Sequence, residues 1–302
     1  MDSIEEKRVY GDREGALEAY VASALGVVRV RVAGDTVGEF DLCERCTARD
    51  LATTADGVVV ASDDDIVILE RDSDGEMTAT ETGFGPAVAV GVTHEELIAA
   101  APDGTVARRP IVGGDWVPLE EQSIATVRAI DGGLIGTDSG VYRVHDGGLD
   151  HVGLTDVRDV AAASVPLAAT DEGLFKLGNG WMDCLEEPMT AVAADPVTEP
   201  GQLSRAHAVA ADGTLTAFIG NEWVEVAAPT DESVVALEYG ETVYAVTEQG
   251  TFCALAGDTR ADEREKIDER EGVDTHERTD LEWRCRSLGV HDVSALAISA
   301  LE

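Results

Sequence analysis

Lysine is nearly missing from this chain. Only Lys7, Lys176 and Lys266 occur among 302 residues; the other 19 positive charges are arginine, against 60 Asp and Glu, for a net charge of −38. With no basic run or stripe, a nucleic-acid partner held through its phosphates is excluded. No apolar run approaches the roughly 20 residues that cross a bilayer. The opening "MDSIEEKRVYGDREG" is charged and has no apolar leader core. A protein free in the cytoplasm, without membrane contact, is expected. Cysteine is sparse: Cys43, Cys46, Cys184, Cys253 and Cys285, an odd number with no export signal, so reduced thiols are expected. Aromatic residues make up only 5%.

The acid is spread through every segment, so it belongs to the whole surface. Such a surface repels itself at low salt. At molar salt the Debye length falls to about 3 Å and the repulsion is screened. The charge therefore describes the solvent: a salt-rich, haloarchaeal type of cytoplasm is expected.

What the chain has instead is repetition. "TDSGVYRVHDGGLDHVGL" (137–154) returns as "TDEGLFKLGNGWMDCLEE" (170–187). Turn markers of this kind fall at Gly26, Asp64, Gly104, Gly140, Gly173, Gly213 and Gly250, in steps of 33 to 40 residues. Around each lie short runs of Val, Leu, Ile and Ala, too short for helices and punctuated by Asp-Gly and Gly-Asn turns. A period of about 38 residues with four short strands per unit is that of a β-propeller blade. The fourth unit shows all four strands, "VRAI", "LIGT", "VYRVH" and "LDHVG".

Two alignments support the period. Trp116, Trp181, Trp223 and Trp283 all fall at the start of a fourth strand. The first strands share a four-residue pattern at 48–51, 87–90, 127–130, 157–160, 189–192, 234–237 and 293–296, whose third position is Ala in five copies and Asp in two. A small residue there suits strands crowded around an axis. The last copy, "VSAL", has no unit behind it, while the N-terminal unit lacks an inner strand. The expected fold is all-β: a single domain over 1–302, a seven-bladed propeller of four-stranded blades, with the C-terminal strand as inner strand of blade one. Six or eight blades are the neighbouring alternatives, since the first two units are the least regular. A charged insertion at 257–280 separates the third and fourth strands of blade seven, with helical character expected at "ADEREKIDERE". A smaller insertion lies at 196–205.

The acidic composition together with "TDSGVYRV", "TDEGLFKLGNGW" and "ADGTLTAFIGNEW" resembles, over the full length, a group of haloarchaeal β-propeller proteins with no assigned activity. That resemblance implies a fold and no activity. The tryptophan cadence is also similar to quinoprotein-type propeller repeats, in which a docking tryptophan packs neighbouring blades; no cofactor site is carried over.

Candidate chemistry lies where the copies differ. Arg49, Arg128 and Arg158 take the second pattern position in blades two, four and five, and Asp50 and Asp159 follow two of them. Three guanidinium forks at the axis can cradle a phosphate or carboxylate; the structural alternative is inter-blade Arg–Asp pairing. "CERC" offers Cys43 and Cys46 as a metal or dithiol pair, with Arg45 positioned to lower a thiol pKa if the side chains meet. The alternative is two reduced cysteines at a strand end. No nucleophile elbow, phosphate loop, dinucleotide fingerprint or metalloprotease helix appears.

The expected function is a non-enzymatic scaffold for protein–protein contact, monomeric, without cofactor, its protein partner unidentified. The alternatives are a propeller that binds, or hydrolyses, a small anion through the axial arginines, and metal or redox sensing through Cys43 and Cys46.

Overall fold

The computed structural model describes residues 16–72, 77–119, 124, 126–163, 165–199, 201–256 and 282–300. They form seven four-stranded antiparallel sheets, the blades of a propeller. The inner strands are Val293–Ala300 in blade one, then Ala48–Thr53, Ala89–Val92, Val127–Asp131, Val157–Ala161, Met189–Ala194 and Val234–Tyr239 in blades two to seven. Each neighbours the next, and the seventh neighbours the first, so they ring a central channel. Blade one takes its inner strand from the C-terminus: Val293–Ala300 pairs antiparallel with Ala16–Ser23, Val21 opposite Leu296. This closure leaves no blade without its inner strand.

Burial falls outward along each blade. Second strands are buried on both faces because a neighbouring blade covers each: every residue of Gly57–Ser62, Leu134–Thr137 and Val243–Thr247 is buried. That is why they read as continuous apolar runs rather than alternating ones. Outer strands such as Met77–Glu81 are largely exposed. The core is therefore not one central mass. It is divided into apolar clusters between neighbouring blades, as where Tyr244 and Phe252 of blade seven pack on Val28 and Val30 of blade one. Burying a side chain of this size contributes roughly 1.5–3 kcal/mol.

The tryptophans dock blade onto blade. Trp181 in blade five donates its Nε1–H to the Val152 carbonyl of blade four at 2.9 Å. Trp283 in blade seven donates to the Ala227 carbonyl, just past the outer strand of blade six, at 3.0 Å. Trp116 in blade three donates to Thr82 Oγ1, just past the outer strand of blade two, at 3.3 Å. Trp223 of blade six packs in the cluster that holds Cys184 and Leu185 of blade five.

The repeated Thr-Asp-x-Gly turn joins second to third strand. Its hydroxyl closes the turn: Thr137 Oγ1 donates to the Gly140 carbonyl at 2.8 Å, and Thr170 Oγ1 to the Gly173 carbonyl at 3.0 Å. In blade two Ser62 and Asp65 take these places, at 2.7 Å. Gly140 has φ 131°, and a Cβ there would be driven into the Gly153 and Leu154 carbonyls at the end of the outer strand. The glycine lets the outer strand leave the blade over the turn.

Reduced thiols do not hold throughout: Cys253 and Cys285 form a disulfide. Although 32 residues apart, they are directly opposed in the third and outer strands of blade seven, Thr251–Leu255 and Trp283–Ser287. The insertion at 257–280, with its expected helix, lies outside the described residues.

Candidate functional site

The upper face is the end of the ring where the inner strands begin and the Thr-Asp-x-Gly turns lie. In six blades the inner strand carries a β-bulge at the second pattern position. A bulge adds one unpaired residue and re-aims its side chain. Arg49, Arg128 and Arg158 are three of these bulged residues.

Their pairing follows the turn sequence. Arg49 donates from Nε and Nη2 to Asp63 Oδ1 and Oδ2 at 2.6 and 2.7 Å. Arg158 holds Asp171 through the same atoms at the same distances. Both pairs stand in solvent, with the arginines 48% and 42% exposed. The guanidinium beside each carboxylate holds Asp63 and Asp171 below the usual range. The partner aspartate belongs to the same blade in both cases, so the pairing is not inter-blade. Arg128 differs. It sends Nη1 to the Val157 carbonyl of blade five at 3.0 Å. Asp138, the counterpart of Asp63 and Asp171, keeps Oδ1 buried without a hydrogen-bond partner.

Asp50 and Asp159 turn the other way, into the channel. Inner strands are sheet edges, so their channel-side N–H groups need acceptors. Asp50 takes the N–H of Leu51 and, across the blade boundary, of Val90, both at 2.9 Å. Asp159 takes those of Val160 and Val192 at 2.9 and 2.8 Å. Two acids not singled out by the repeat pattern join them: Asp131 accepts the Ala162 N–H at 2.6 Å, and Glu238 that of Tyr239 at 3.0 Å. Asp50, Asp159 and Glu238 are half-buried and Asp131 is exposed to the channel's solvent, as befits residues that line an open wall. Enclosure pushes Asp50 and Asp159 up to about 7 and Glu238 to about 8, and raises Asp131; neighbouring carboxylates add to the rise for Asp50, Asp159 and Glu238.

Cys43 is the penultimate residue of the outer strand of blade one, Thr36–Glu44, and Cys46 lies in the link to blade two. Both pack against the cluster between those blades. Cys43 Sγ donates to the Val27 carbonyl at 3.3 Å. Burial pushes the two thiols up, to about 12 and about 11, opposite to the lowering that Arg45 would give. Among the described residues, no group of three or more His, Cys, Asp and Glu side chains is arranged to hold a metal ion. No helix of the described residues is long and apolar enough to cross a membrane.

The sequence pattern contained a signal for Asp63, Asp138 and Asp171 that the reading by first strands passed over. Arg at the second pattern position occurs in the three blades whose turn begins Ser-Asp or Thr-Asp. Asp131 and Glu238 sit two places beyond the third pattern position and follow no repeat.

This is a seven-bladed propeller with an arginine–aspartate face above a carboxylate-lined channel. The chain belongs to the HVO_0234-like beta-propeller family, whose model matches residues 3–299. No curated protein matches it in sequence. Among solved structures it is similar to the WD40 beta propeller domain of Doa1, with TM-score 0.60 and 14% identity over 82% of this chain and 85% of that one. It is also similar to the Neurospora crassa Pan2 WD40 domain, with TM-score 0.55 and 12% identity over 78% and 83%. A third is YCF48 bound to D1 peptide, with TM-score 0.53 and 14% identity over 80% and 82%. Identities this low establish the fold alone.

Proposed function

We propose that this protein is a non-enzymatic scaffold that docks a protein partner on its upper face, in a salt-rich cytoplasm. The observation that carries the reading is the shared bulge, which brings Arg49, Arg128 and Arg158 to one face of a rigid closed ring. Two are locked by carboxylates, which makes the rim rigid, while Arg128 keeps guanidinium donors open to a partner. Asp50 and Asp159 tie inner strands of neighbouring blades beneath it and keep the rim in register. The likeness to YCF48, a propeller with a bound D1 peptide, favours a peptide-like partner. The −38 charge favours a salt-rich setting. Affinity purification at molar salt with mass spectrometry tests the reading: a reproducible partner is expected, and repeated recovery of none would sink it.

A second reading rests on Arg128, whose pairing differs from that of its two counterparts. It makes the same face a receptor for a small anion.

A further inference from the structure

Three blades carry the same pair of residues at matched positions. Ala48 lies opposite Ser62, Val127 opposite Thr137 and Val157 opposite Thr170. The residue after each member is then Arg49 and Asp63, Arg128 and Asp138, Arg158 and Asp171. In blades two and five the pair closes through two parallel hydrogen bonds. In blade four it does not. Arg128 spends one Nη1 donor on the Val157 carbonyl, and its other guanidinium donors meet no acceptor among the described residues. Arg128 is half-buried, at the mouth of the channel between blades four and five. Asp138 Oδ1 is buried and unmatched, which rules out a hidden Arg128 pair at that atom.

We propose that Arg128 is an anchoring residue for a carboxylate carried by a protein partner, an acidic side chain or a chain terminus, at the channel mouth between blades four and five. This rests on the scaffold reading and names the partner's chemistry. A guanidinium with its fork unspent is the geometric complement of a carboxylate. Arg49 and Arg158 are not available in this way, since their forks are filled by Asp63 and Asp171. Asp171 is already paired with Arg158, so it does not close the Arg128 fork. A singly charged carboxylate suits the site better than a phosphate dianion, because the chain's −38 charge repels the second charge. For the same reason binding strengthens as salt screens the long-range repulsion.

The test is calorimetric titration of the full chain, at low and at molar salt, with three short peptides and inorganic phosphate. Acetyl-trialanine ends in a free carboxylate, acetyl-Ala-Glu-Ala-amide carries only a side-chain carboxylate, and acetyl-trialanine-amide carries none. At least one carboxylate peptide is expected to bind, more tightly at molar salt, with the amide silent and phosphate weaker; which carboxylate peptide binds separates terminus from side chain. Arg128→Gln should weaken binding about tenfold or more, equivalent to about 1.4 kcal/mol. Arg128→Lys, which keeps the charge without the fork, should fall between. Arg49→Gln and Arg158→Gln should stay within about twofold of the parent, by the filled-fork argument. Carboxylate-independent binding, no binding, or equal losses in all three Gln variants would overturn the proposal. A partner recovered equally by the parent and by Arg128→Gln overturns this inference while the scaffold reading stands. Carboxylate binding with no partner recovered has the opposite consequence.

Discussion

Asp159 accepts the backbone N–H of Val192 at 2.8 Å, tying the inner strand of blade five to that of blade six. Asp50 makes the same tie from blade two to blade three, through Val90. Each carboxylate replaces the alanine found at this position in the other blades, and each sits at about 7, raised chiefly by burial.

The raised values fix the sign of a pH effect. An unfolded Asp titrates near 4, the folded ones near 7, so the folded state holds these protons to higher pH. Their contribution is fully present below about 4 and is lost as pH rises toward 7, with Glu238 extending the loss to about 8. The buried His207, pushed down to about 3 by burial and by Arg205, works in the opposite sense: its stability is lost as pH falls below about 6.5. His207 is common to parent and variant, so a comparison isolates the acids. Asp50→Ala/Asp159→Ala should be less stable than the parent at pH 5, by about 1–3 kcal/mol per unmatched N–H. The deficit should shrink at pH 8. Denaturant melts at the two pH values check this; a deficit that grows with pH would contradict it.

Trp181 illustrates blade docking. Trp181→Phe keeps most of the apolar contact with Val152 and Leu154 and deletes the Nε1–H bond to the Val152 carbonyl. A loss of about 1 kcal/mol is expected. Trp181→Ala removes the packing too and should cost about 3–5 kcal/mol, as for large-to-small changes in a core. Equal losses in the two variants would mean that the hydrogen bond, and not the ring, holds the blades together.

These elements differ in how far the chain announced them. The blades were legible because they share elements of one local chemistry: a hydroxyl that closes the turn, a glycine under a crossing strand and, in four of the seven, a tryptophan at the outer strand. The closing strand was legible because "VSAL" had no unit of its own. The bulge was not, since it appears only when register is counted across two strands. Without it Arg49 and Arg158 read as axial groups, free to cradle an anion or to pair between blades, whereas they reach Asp63 and Asp171 across the sheet of their own blade. Asp131 and Glu238 were invisible because their role comes from the ring, which brings them beside Asp50 and Asp159 from a strand position that is acidic in only two blades. The Cys253–Cys285 bond was masked by the insertion between its partners.

That disulfide joins the third and outer strands of blade seven across 32 residues of sequence. A crosslink of this span restricts the unfolded chain by about 3–4 kcal/mol in the loop-closure picture. Cys253→Ser/Cys285→Ser should therefore melt earlier than the oxidised parent. A reducing agent should lower the parent's midpoint toward that of the variant and leave the variant unmoved. The outer strand should keep its place through Trp283 on blade six, and through Arg284 bound to Asp35 and Arg286 over Phe40 on blade one. Matching circular dichroism spectra at low temperature would confirm that; loss of strand signal in the variant would show that the bridge is needed to form the blade.

Salt sets two electrostatic effects against each other. It weakens the exposed pairs Arg49–Asp63 and Arg158–Asp171, which solvent already screens so that each contributes little. It also screens repulsion among 60 acidic side chains facing only 22 basic ones. The second effect involves far more charges and acts over longer distances, so the melting midpoint should rise with KCl. Screening predicts a particular shape. The gain should be steepest at low salt and level off as the Debye length approaches about 3 Å near 1 M. Exclusion of salt from the surface would instead keep raising stability at higher concentration. A midpoint that falls on adding KCl would show that the paired arginines outweigh the surface repulsion, and the salt-rich setting proposed for this ring would lose its physical basis.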